Sequence, residues 1–466
     1  MADVMTVSNL VNRSIAILGM GATGLSVARY LSVIGAPFSF FDSRTEPPAL
    51  AEVQDSYPNT KIVTEPFRDE ILVGIDLIVV SPGISQREPL LVTARKNGIE
   101  IIGDLELFLT AAEAPVVAIT GSNGKSTVTT LVGEMAKANG LDAGVGGNLG
   151  VPMLDLLAPG RELYVVELSS FQLELISDLK GATACLLNIS PDHMDRYNDL
   201  EDYIAAKQRI FRGAASIVSN REDRLITAPS DGQSGVITFG LDTPAQGHYG
   251  IAVDKEGDYL CRGDERLISV DSIAIKGRHN LANALAALAL GSEIGLDLNH
   301  LLTTLQHFKG LPHRCQVVAT IDEVLFIDDS KGTNVGATVA AIEGFGSKSS
   351  ANLILIAGGQ GKGQNFNDLR SAASRFVKYG IFYGQDAEKI EDALQSTINI
   401  RRVESVESAV DQAKQSAVAG DIVLFSPACA SFDLFTGFEE RGRHFQHAVL
   451  SSETAAFNSP DQGALC

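Results

Sequence analysis

The chain has 466 residues, about three times the ~150 residues of a typical domain, so a single compact core is not expected. Hydrophobic residues make up 45% and charged residues 20%, a balance that excludes a mostly disordered or collagen-like chain. Lys and Arg number 37 against 57 Asp and Glu, a formal charge of −20. A surface this acidic disfavours nucleic acid and anionic membranes as partners.

The cysteines and the N-terminal sequence both indicate a cytoplasmic protein. The cysteines are odd in number and widely spaced, and none forms a Cys-x-x-Cys pair, which fits a reducing compartment rather than a disulfide framework or a zinc site. They are Cys185, Cys261, Cys315, Cys429 and Cys466. No basic segment followed by an apolar core opens the chain, and no stretch of about 18 uncharged apolar residues follows.

The first segment predicts a nucleotide-binding half-fold. From Ser14 it reads SIAILGMGATGLSVARYLSVIGAPFSFFD, a strand, a glycine turn, a helix and a second strand ending at Asp42. The turn has the G-x-G-x-x-G spacing, which by itself suggests NAD or FAD. The alternative is a nucleotide-bearing substrate, with its pyrophosphate near residues 21–24 and its ribose or base near Asp42, Ser43 and Arg44. Strands predicted at 77–81 and 99–103 continue the alternation.

The strongest chemical signal is APVVAITGSNGKST. A buried strand followed by a glycine-rich turn and a helix beginning near Lys125 aims backbone N–H groups at a phosphate. Lys125 neutralises phosphate charge, and the Ser126 hydroxyl can reach Mg²⁺. The spacing G-x-x-G-K-S-T is shorter than the general P-loop form, yet strand, glycines, lysine and hydroxyls together predict phosphate binding over residues 121–127.

A phosphate-binding loop needs a metal partner at the end of another strand, and two candidates follow. Glu167 ends the strand in YVVELSSFQ, and His193 lies in the cluster DHMDR after the strand ATACLLNIS. Carboxylate suits Mg²⁺, whereas histidine is uncommon there. The alternatives are a capping carboxylate for Glu167 and an ordinary loop histidine for His193. Lys207, in AAKQR, reads by itself as a solvated helix lysine.

Three α/β domains are predicted. Residues 1–103 form a Rossmann-like domain, 104–310 a central P-loop domain with a small antiparallel appendage at about 236–275, and 311–466 a C-terminal Rossmann-like α/β domain. The boundary before the last domain is the turn Gly310–Pro312. The C-terminal strands are predicted in VLFIDDS, LILIAGG, GIFYG and DIVLFSP.

In order along the chain, these segments resemble the Mur ligase family, and within it the members that add D-glutamate. The matching pieces are GMGATGLS, FDSRTEPP, SPGIS, ITGSNGKST, GGNLGVP, ELSSFQLE, DHMDRY, YIAAKQRI, GRHNLANALAA, LPHRC, FIDDSKGTN, GGQGKG and SPACASFDLFTGFEERG. The resemblance implies ATP-driven amide formation between UDP-N-acetylmuramoyl-L-alanine and D-glutamate through an acyl phosphate, in peptidoglycan precursor synthesis. It further implies ATP and two Mg²⁺ ions as cofactors, small-molecule partners only, and a monomer.

The resemblance also implies roles for individual residues. Lys125, His193 and a carbamylated Lys207 are the expected catalytic residues, and the expected metal-binding residues are Ser126, Glu167, His193 and Lys207. The expected ATP-binding residues are Gly121, Ser122, Asn123, Gly124, Lys125, Ser126, Thr127, Asn280, Asn283, Arg314, Asp329 and Lys331. The expected UDP-substrate residues are Gly21, Thr23, Gly24, Asp42, Ser43, Arg44, Gly83 and Asn148, and those for D-glutamate are Thr333, Lys362, Ser431 and Phe438.

Two alternatives stay open on the sequence. One is a sister ligase that adds L-alanine, a diamino acid or a dipeptide, or a folylpolyglutamate-type enzyme, although the dinucleotide-like first domain disfavours these. The other is a regulator that senses a nucleotide or binds NAD without turnover.

Overall fold

The structure is a computed structural model that describes residues 6–229, 235–255, 257–347 and 350–456; Cys466 lies outside them. The chain divides into two compact units. The first comprises the residues up to Ile189 together with Glu201–Ile273 and Ala282–His307. The second comprises Ser190–Leu200, Ala274–Leu281 and the chain from Phe308 onward.

The N-terminal sheet is parallel and has the strand order β3-β2-β1-β4-β5. Its strands are β1 (Ile15–Leu18), β2 (Phe38–Asp42), β3 (Ile62–Thr64), β4 (Leu77–Val80) and β5 (Glu100–Ile102). The accompanying helices are α1 (Val7–Leu10), α2 (Ala22–Val33), α3 (Leu50–Ser56), α4 (Pro89–Lys96) and α5 (Asp104–Ala111). All four residues of β1 and of β4 are buried, as expected for strands with both faces covered. This order confirms the predicted Rossmann-like fold.

The central sheet has the order β14-β13-β12-β11-β10-β9-β6-β8-β7. Its strands are β6 (Val116–Thr120), β7 (Ala143–Gly147), β8 (Leu163–Glu167), β9 (Thr183–Leu186), β10 (Ser216–Asn220), β11 (Gly235–Phe239), β12 (Tyr249–Asp254), β13 (Gly257–Arg262) and β14 (Glu265–Ser269). Strands β12 to β14 pair antiparallel, which confirms the predicted appendage. They continue the central sheet, because β11 is parallel to both β10 and β12. The helices here are α6 (Lys125–Ala138), α7 (Ser170–Leu173), α8 (Leu200–Gln208), α9 (Arg278–Glu293) and α10 (Leu298–His307).

The C-terminal sheet has the order β15-β16-β20-β17-β18-β19, and β15 is its antiparallel edge strand. Its strands are β15 (Gln316–Ile321), β16 (Val324–Asp328), β17 (Leu353–Gly358), β18 (Val377–Tyr383), β19 (Asn399–Arg402) and β20 (Ile422–Phe425). The helices are α11 (Val335–Phe345), α12 (Leu369–Phe376), α13 (Ala387–Leu394), α14 (Val406–Ser416) and α15 (Phe438–Ala456). Separate clusters of buried apolar side chains pack against this sheet. The four central strands match the predicted ones.

Each of the three sheets lies inside one of the three predicted domain ranges, whereas contacts group the chain into two units. The boundaries at 103/104 and 310/311 therefore stay predictions. Within the described residues, no helix combines the length and the apolar character that a membrane crossing requires.

Candidate active site

The predicted phosphate loop connects a fully buried strand to a helix in the first unit. Strand β6 ends at Thr120, and α6 begins at Lys125, as predicted. Gly124 caps the helix in the left-handed region with φ 81°, a conformation that glycine adopts without a steric penalty. A Cβ atom at Gly124 would lie 2.4 Å from Oδ1 of Asn283. Asn283, an expected ATP-binding residue, therefore lies directly against the loop.

Asn188, which follows β9, holds the phosphate loop in shape. Its Oδ1 accepts the N–H of Asn123 at 2.8 Å, and its Nδ2 donates to the carbonyl of Asn123 at 3.0 Å. The N–H of Ser122 donates to the Asn188 carbonyl at 2.9 Å. Sequence reasoning missed this residue, because 65 positions separate Asn123 from Asn188 and no local pattern marks the contact.

The two predicted catalytic lysines of this unit converge on the loop. Nζ of Lys125 donates to the carbonyls of Gly121 at 2.9 Å and Ser122 at 3.0 Å. Nζ of Lys207 donates to the same Gly121 carbonyl at 2.9 Å and lies 4.8 Å from the centre of the Tyr203 ring. Lys207 is only 2% exposed, so the solvated-lysine alternative is wrong. Lys207 instead lies buried against the phosphate loop, and its predicted carbamylation stays a prediction.

Ser126 and Glu167 have the chemistry of a magnesium site. Both are buried, at 4% and 2% exposure, and Glu167 ends β8, the strand next to β6. Mg²⁺ is commonly bound by one or two carboxylates together with substrate phosphates rather than by a closed protein cage, so this donor pair fits the ion. Among the residues that the structure describes, no three His, Cys, Asp or Glu side chains form a ready-made metal cage.

A cavity of about 690 Å³ lies at the end of the N-terminal sheet and is wholly within the first unit. Seven predicted substrate residues line it: Gly21, Thr23, Asp42, Ser43, Arg44, Gly83 and Asn148. Gly24 is not among the lining residues; a Cβ there would lie 1.9 Å from the Gly19 carbonyl, so this glycine permits close packing of α2. Lining residues that sequence reasoning missed include Phe67, Ser169, Phe171 and Gln172.

Asn148 connects this cavity to Glu167, the proposed metal ligand. It lines the cavity, and its Nδ2 donates to Oε1 of Glu167 at 2.8 Å. Its N–H donates to the Glu167 carbonyl, also at 2.8 Å. A Cβ at the preceding Gly147 would lie 2.5 Å from that carbonyl. The glycine is thus required for the close approach that places a cavity wall beside the proposed metal ligand.

Both carboxylate oxygens of Asp42 accept hydrogen bonds from within the protein. One carboxylate oxygen accepts the N–H and Nε–H of Arg44, and the other accepts Nη2 of Arg44 and the N–H of Met20, at 2.7–3.0 Å. Burial by itself would raise the pKa of Asp42, but the hydrogen bonds from Arg44 and Met20 outweigh it and hold the pKa below its usual value. The carboxylate therefore fixes the guanidinium that lines the cavity.

In the second unit, the predicted glutamate residues follow three neighbouring parallel strands, β16, β20 and β17. Open α/β sheets bind ligands at this carboxyl edge. Nζ of Lys331 lies 4.0 Å from the centre of the Phe438 ring, and Nζ of Lys362 lies 5.6 Å from that of Phe432, next to the buried Ser431. Thr333 follows β16 on the segment that carries Lys331.

The predicted nucleotide residues of the second unit are Asn280, Arg314, Asp329 and Lys331. Nδ2 of Asn280 donates to the Lys276 carbonyl at 2.8 Å. Asp329 accepts the Ser426 hydroxyl at 2.7 Å and the N–H of Cys315, the neighbour of Arg314, at 3.2 Å. Burial raises the pKa of Asp329 to about 6 against the opposing hydrogen bonds from Ser426 and Cys315.

A buried arginine that sequence reasoning left without a role fixes this edge. Arg441 is 0% exposed. Its Nε and Nη2 donate to the hydroxyl and the carbonyl of Ser330, at 3.0 and 2.6 Å, and its Nη1 donates to the carbonyl of Cys429 at 3.0 Å. It therefore ties together the segments that follow β16 and β20, where the predicted glutamate residues lie.

His193 also belongs to the second unit, in the segment Ser190–Leu200. Its backbone is left-handed, with φ 56°, which is uncommon for a residue other than glycine. The neighbouring Asp192 accepts the N–H of His193 at 2.9 Å and Nδ2 of Asn334 at 3.1 Å. His193, the predicted ligand of the second metal ion, thus lies in a turn whose backbone is constrained.

Three α/β sheets, a phosphate loop and a separate large cavity define a nucleotide-dependent enzyme of several domains. Comparison with known families shows which one. The chain matches the MurD-like Mur ligase N-terminal domain over residues 13–103, the Mur ligase middle domain over 119–291, and the Mur ligase glutamate ligase domain over 313–429. The chain belongs to the Mur ligase family.

Curated relatives match nearly the whole chain. A UDP-N-acetylmuramoylalanine--D-glutamate ligase of Legionella pneumophila strain Paris is 47% identical over 437 residues, 93% of this chain and 98% of that protein. The ligase of the same name from Pseudomonas aeruginosa PAO1 is 48% identical over 433 residues, 93% of this chain and 97% of that protein.

Solved structures support the fold. The UDP-N-acetylmuramate-alanine ligase MurC of Thermotoga maritima has a TM-score of 0.56 and 21% identity, covering 95% of this chain and all of that one. Escherichia coli FolC, in complex with DHPP and ADP, has a TM-score of 0.53 and 16% identity, covering 76% of this chain and 92% of that one. At these identities the likeness concerns the architecture alone.

Proposed function

We propose that this chain is an ATP-dependent ligase that joins D-glutamate to UDP-N-acetylmuramoyl-L-alanine in peptidoglycan precursor synthesis. The observation that carries the proposal is the pair Asn148–Glu167. It connects the large cavity to Glu167, the proposed metal ligand, which ends the strand next to the one that leads into the phosphate loop. A carboxylate at the inner end of a sugar nucleotide would therefore arrive beside the metal that neutralises the ATP phosphates. Identity of 47–48% to curated ligases of this specificity supports the same conclusion.

The chemistry follows from this arrangement. A carboxylate oxygen of the sugar nucleotide attacks the γ-phosphorus of ATP, the bond to the β-phosphate oxygen breaks, and ADP leaves with an acyl phosphate formed. The neutral amine of D-glutamate then attacks the acyl carbon and loses a proton, the amide forms, and inorganic phosphate leaves. The phosphoryl group carries its charge on oxygen throughout, so preorganised donors are the main contribution of the protein. Lys125 and the backbone N–H groups at the start of α6 supply those donors.

Mg²⁺, when bound by Ser126 and Glu167, neutralises phosphate charge. We infer that Lys207 is carbamylated and that the resulting carboxylate binds or orients Mg²⁺. His193 stays the predicted ligand of the second ion. Carbamylation replaces an ammonium that repels a cation by a carboxylate that attracts one. The burial of Lys207 at the Gly121 carbonyl supports this inference. Carbon-13 NMR of protein equilibrated with labelled bicarbonate tests it: a carbamate signal is expected in the native chain and not in Lys207→Ala, and its absence from both refutes the modification.

D-Glutamate, in this proposal, occupies the carboxyl edge of the C-terminal sheet. Lys362 supplies a cation for one carboxylate and Ser431 a hydroxyl donor. Thr333 and Phe438 complete the predicted set. The Arg441 hydrogen bonds support the assignment, because they hold two of the segments concerned in fixed positions.

The decisive experiment measures phosphate release from ATP by purified protein. Release is expected only when UDP-N-acetylmuramoyl-L-alanine and D-glutamate are both present. Replacing D-glutamate by L-alanine, a diamino acid or a dipeptide, or the sugar nucleotide by a folate, tests the sister ligases. Faster release with any of these would overturn the assigned substrates.

The NAD-binding regulator predicts a fluorescence change with NADH and no turnover. Identity of 47–48% over 93% of the chain to curated D-glutamate ligases disfavours it.

A further inference from the structure

Asn334 uses both ends of its side-chain amide. It is 3% exposed and immediately precedes α11. Its Oδ1 accepts the N–H of Ala337 at 2.8 Å, an N-cap hydrogen bond. Its Nδ2 donates to Oδ2 of Asp192 at 3.1 Å, a residue 142 positions earlier in the chain but in the same compact unit. Ser, Thr, Asp and Asn all cap helices well, but of these the Asn side chain alone offers an N–H donor as well as the capping oxygen.

The Asp192 carboxylate connects Asn334 to the backbone of His193 through two hydrogen bonds. While Oδ2 accepts from Asn334, Oδ1 accepts the backbone N–H of His193 at 2.9 Å. The His193 carbonyl accepts the N–H of Arg196 at 2.9 Å, which closes the turn. His193 has φ 56°, and a side-chain-bearing residue keeps such a backbone only where surrounding contacts impose it. The carboxylate of Asp192 is one of those contacts.

We propose that Asn334 is a positioning residue that acts through Asp192 to keep the backbone of His193 in its left-handed conformation, which sets the direction of the imidazole for its role as a metal ligand. The inference rests on the proposed function, which gives His193 its role. Because Thr333, in the predicted glutamate set, directly precedes Asn334, the start of α11 sets the position of two parts of the site. The expected consequence is a loop over residues 190–200 that keeps its shape before any ligand binds.

Two variants separate this role from helix capping. Asn334→Asp keeps an oxygen for Ala337 but removes the donor and sets a second carboxylate against Asp192. The double variant Asn334→Asp with Asp192→Asn restores the pair with the roles reversed. The new Asn Nδ2 donates to the new carboxylate, while its Oδ1 still accepts the N–H of His193. A residue that only caps the helix would show no such rescue.

Hydrogen exchange of the full-length protein without ligands is the first measurement. In Asn334→Asp, the amides of 190–200 are expected to exchange about tenfold faster or more, the loss expected for one hydrogen bond to a charged group. Exchange within α11 is expected to stay unchanged, and the double variant is expected to regain most of the protection of the loop. Unchanged exchange in the single variant, or no recovery in the double one, overturns the anchor.

Phosphate release in the presence of both substrates is the second measurement. Asn334→Asp is expected to lower kcat by tenfold or more, to raise the Mg²⁺ concentration needed for half-maximal rate, and to leave KM for the sugar nucleotide nearly unchanged. A loosened loop with unaltered kcat overturns the positioning role and leaves the proposed function standing. A wild-type protein that releases no phosphate overturns the proposed function, while the exchange data still decide whether Asn334 anchors the loop.

Discussion

At the scale of single side chains, Lys125 is the residue whose removal has the most direct effect. Lys125→Ala is expected to lower kcat/KM for ATP at least ~100-fold, since one preorganised charge contact to a transferring phosphoryl group is worth about 3 kcal/mol. The measurement is steady-state phosphate release, with thermal unfolding to show that the fold survives. Lys137→Ala, at the exposed far end of the same helix, is the matched control. Turnover near that of the wild type would refute the phosphate-loop assignment.

Asp104 gives a pH-dependent prediction, because burial raises its pKa to about 6 against an opposing hydrogen bond from Gln172. A carboxyl whose folded pKa lies above its unfolded value stabilises the fold below the unfolded pKa and loses that contribution as the pH rises through the folded one. Between about pH 4 and pH 7, wild type should lose about 3 kcal/mol of unfolding free energy relative to Asp104→Asn. Denaturant unfolding across this range measures the difference, with the exposed Asp69→Asn as control. A difference between wild type and Asp104→Asn that does not vary with pH contradicts the prediction.

The sequence indicated those site residues whose role depends on neighbours close along the chain. The loop at 121–127 directly follows a strand and combines glycines with a lysine within a few positions, so its phosphate-binding role could be predicted from the sequence. The roles of Asn188 and Arg441 could not be predicted, because their hydrogen-bond partners lie 65 and 111 positions away. For Lys207 the local sequence was misleading, because its helix gives no sign of burial and only the family resemblance indicated a functional role.

At the scale of elements, the two glycines that flank α6 allow the effect of backbone strain to be measured apart from the effect of a collision in the site. Gly124 and Gly140 have nearly the same left-handed φ, 81° and 82°, at the start and just beyond the end of α6. Alanine at either should cost about 1–2 kcal/mol of stability. At Gly124 alone, the new Cβ would lie 2.4 Å from the Asn283 amide, whereas at Gly140 nothing lies within 4 Å.

Gly124→Ala is therefore expected to raise KM for ATP at least ~10-fold, because either the loop or the Asn283 side chain must shift by about an ångström to relieve the collision, and misaligned contacts weaken steeply. Gly140→Ala is expected to lose about as much stability as Gly124→Ala but to leave KM for ATP unchanged. Kinetics at saturating sugar nucleotide and denaturant unfolding of both variants provide the comparison. Equal KM values in the two variants would mean that the close approach of Asn283 has no part in nucleotide binding.

Strands were missed in the sequence where they lack a continuous run of apolar residues. Buried strands with long apolar runs, such as β17 with all six residues buried, were recognised, whereas the buried β10 was missed because only Ile217 and Val218 in it are apolar. Strand β19 reads Asn-Ile-Arg-Arg with three exposed residues, and it forms because β18 offers an open edge. Strand β15 was missed for a similar reason: its side chains are exposed or half-buried, and pairing with β16 determines it.

At the scale of the whole molecule, the predicted residues are divided between the two units. The first carries the phosphate loop, Glu167, Lys207 and the cavity, and the second carries His193, Arg314 and the predicted glutamate residues. Each unit has a buried core of its own, and chains of several domains commonly depart from two-state unfolding. Two calorimetric transitions are expected. Phe425→Ala, in the core of the second unit, should lower one of them selectively, since truncating a buried Phe costs about 3–5 kcal/mol.

UDP-N-acetylmuramoyl-L-alanine should then raise the other transition. At 100 times its dissociation constant, a ligand adds about 2.7 kcal/mol to the stability of the part it binds, equivalent to several degrees for a unit of this size. Arg44→Ala, which removes a guanidinium from the cavity wall, should reduce the shift without altering the Phe425-sensitive transition. A shift confined to the Phe425-sensitive transition would move the sugar nucleotide site out of the first unit, and a single transition would show that the two cores unfold together.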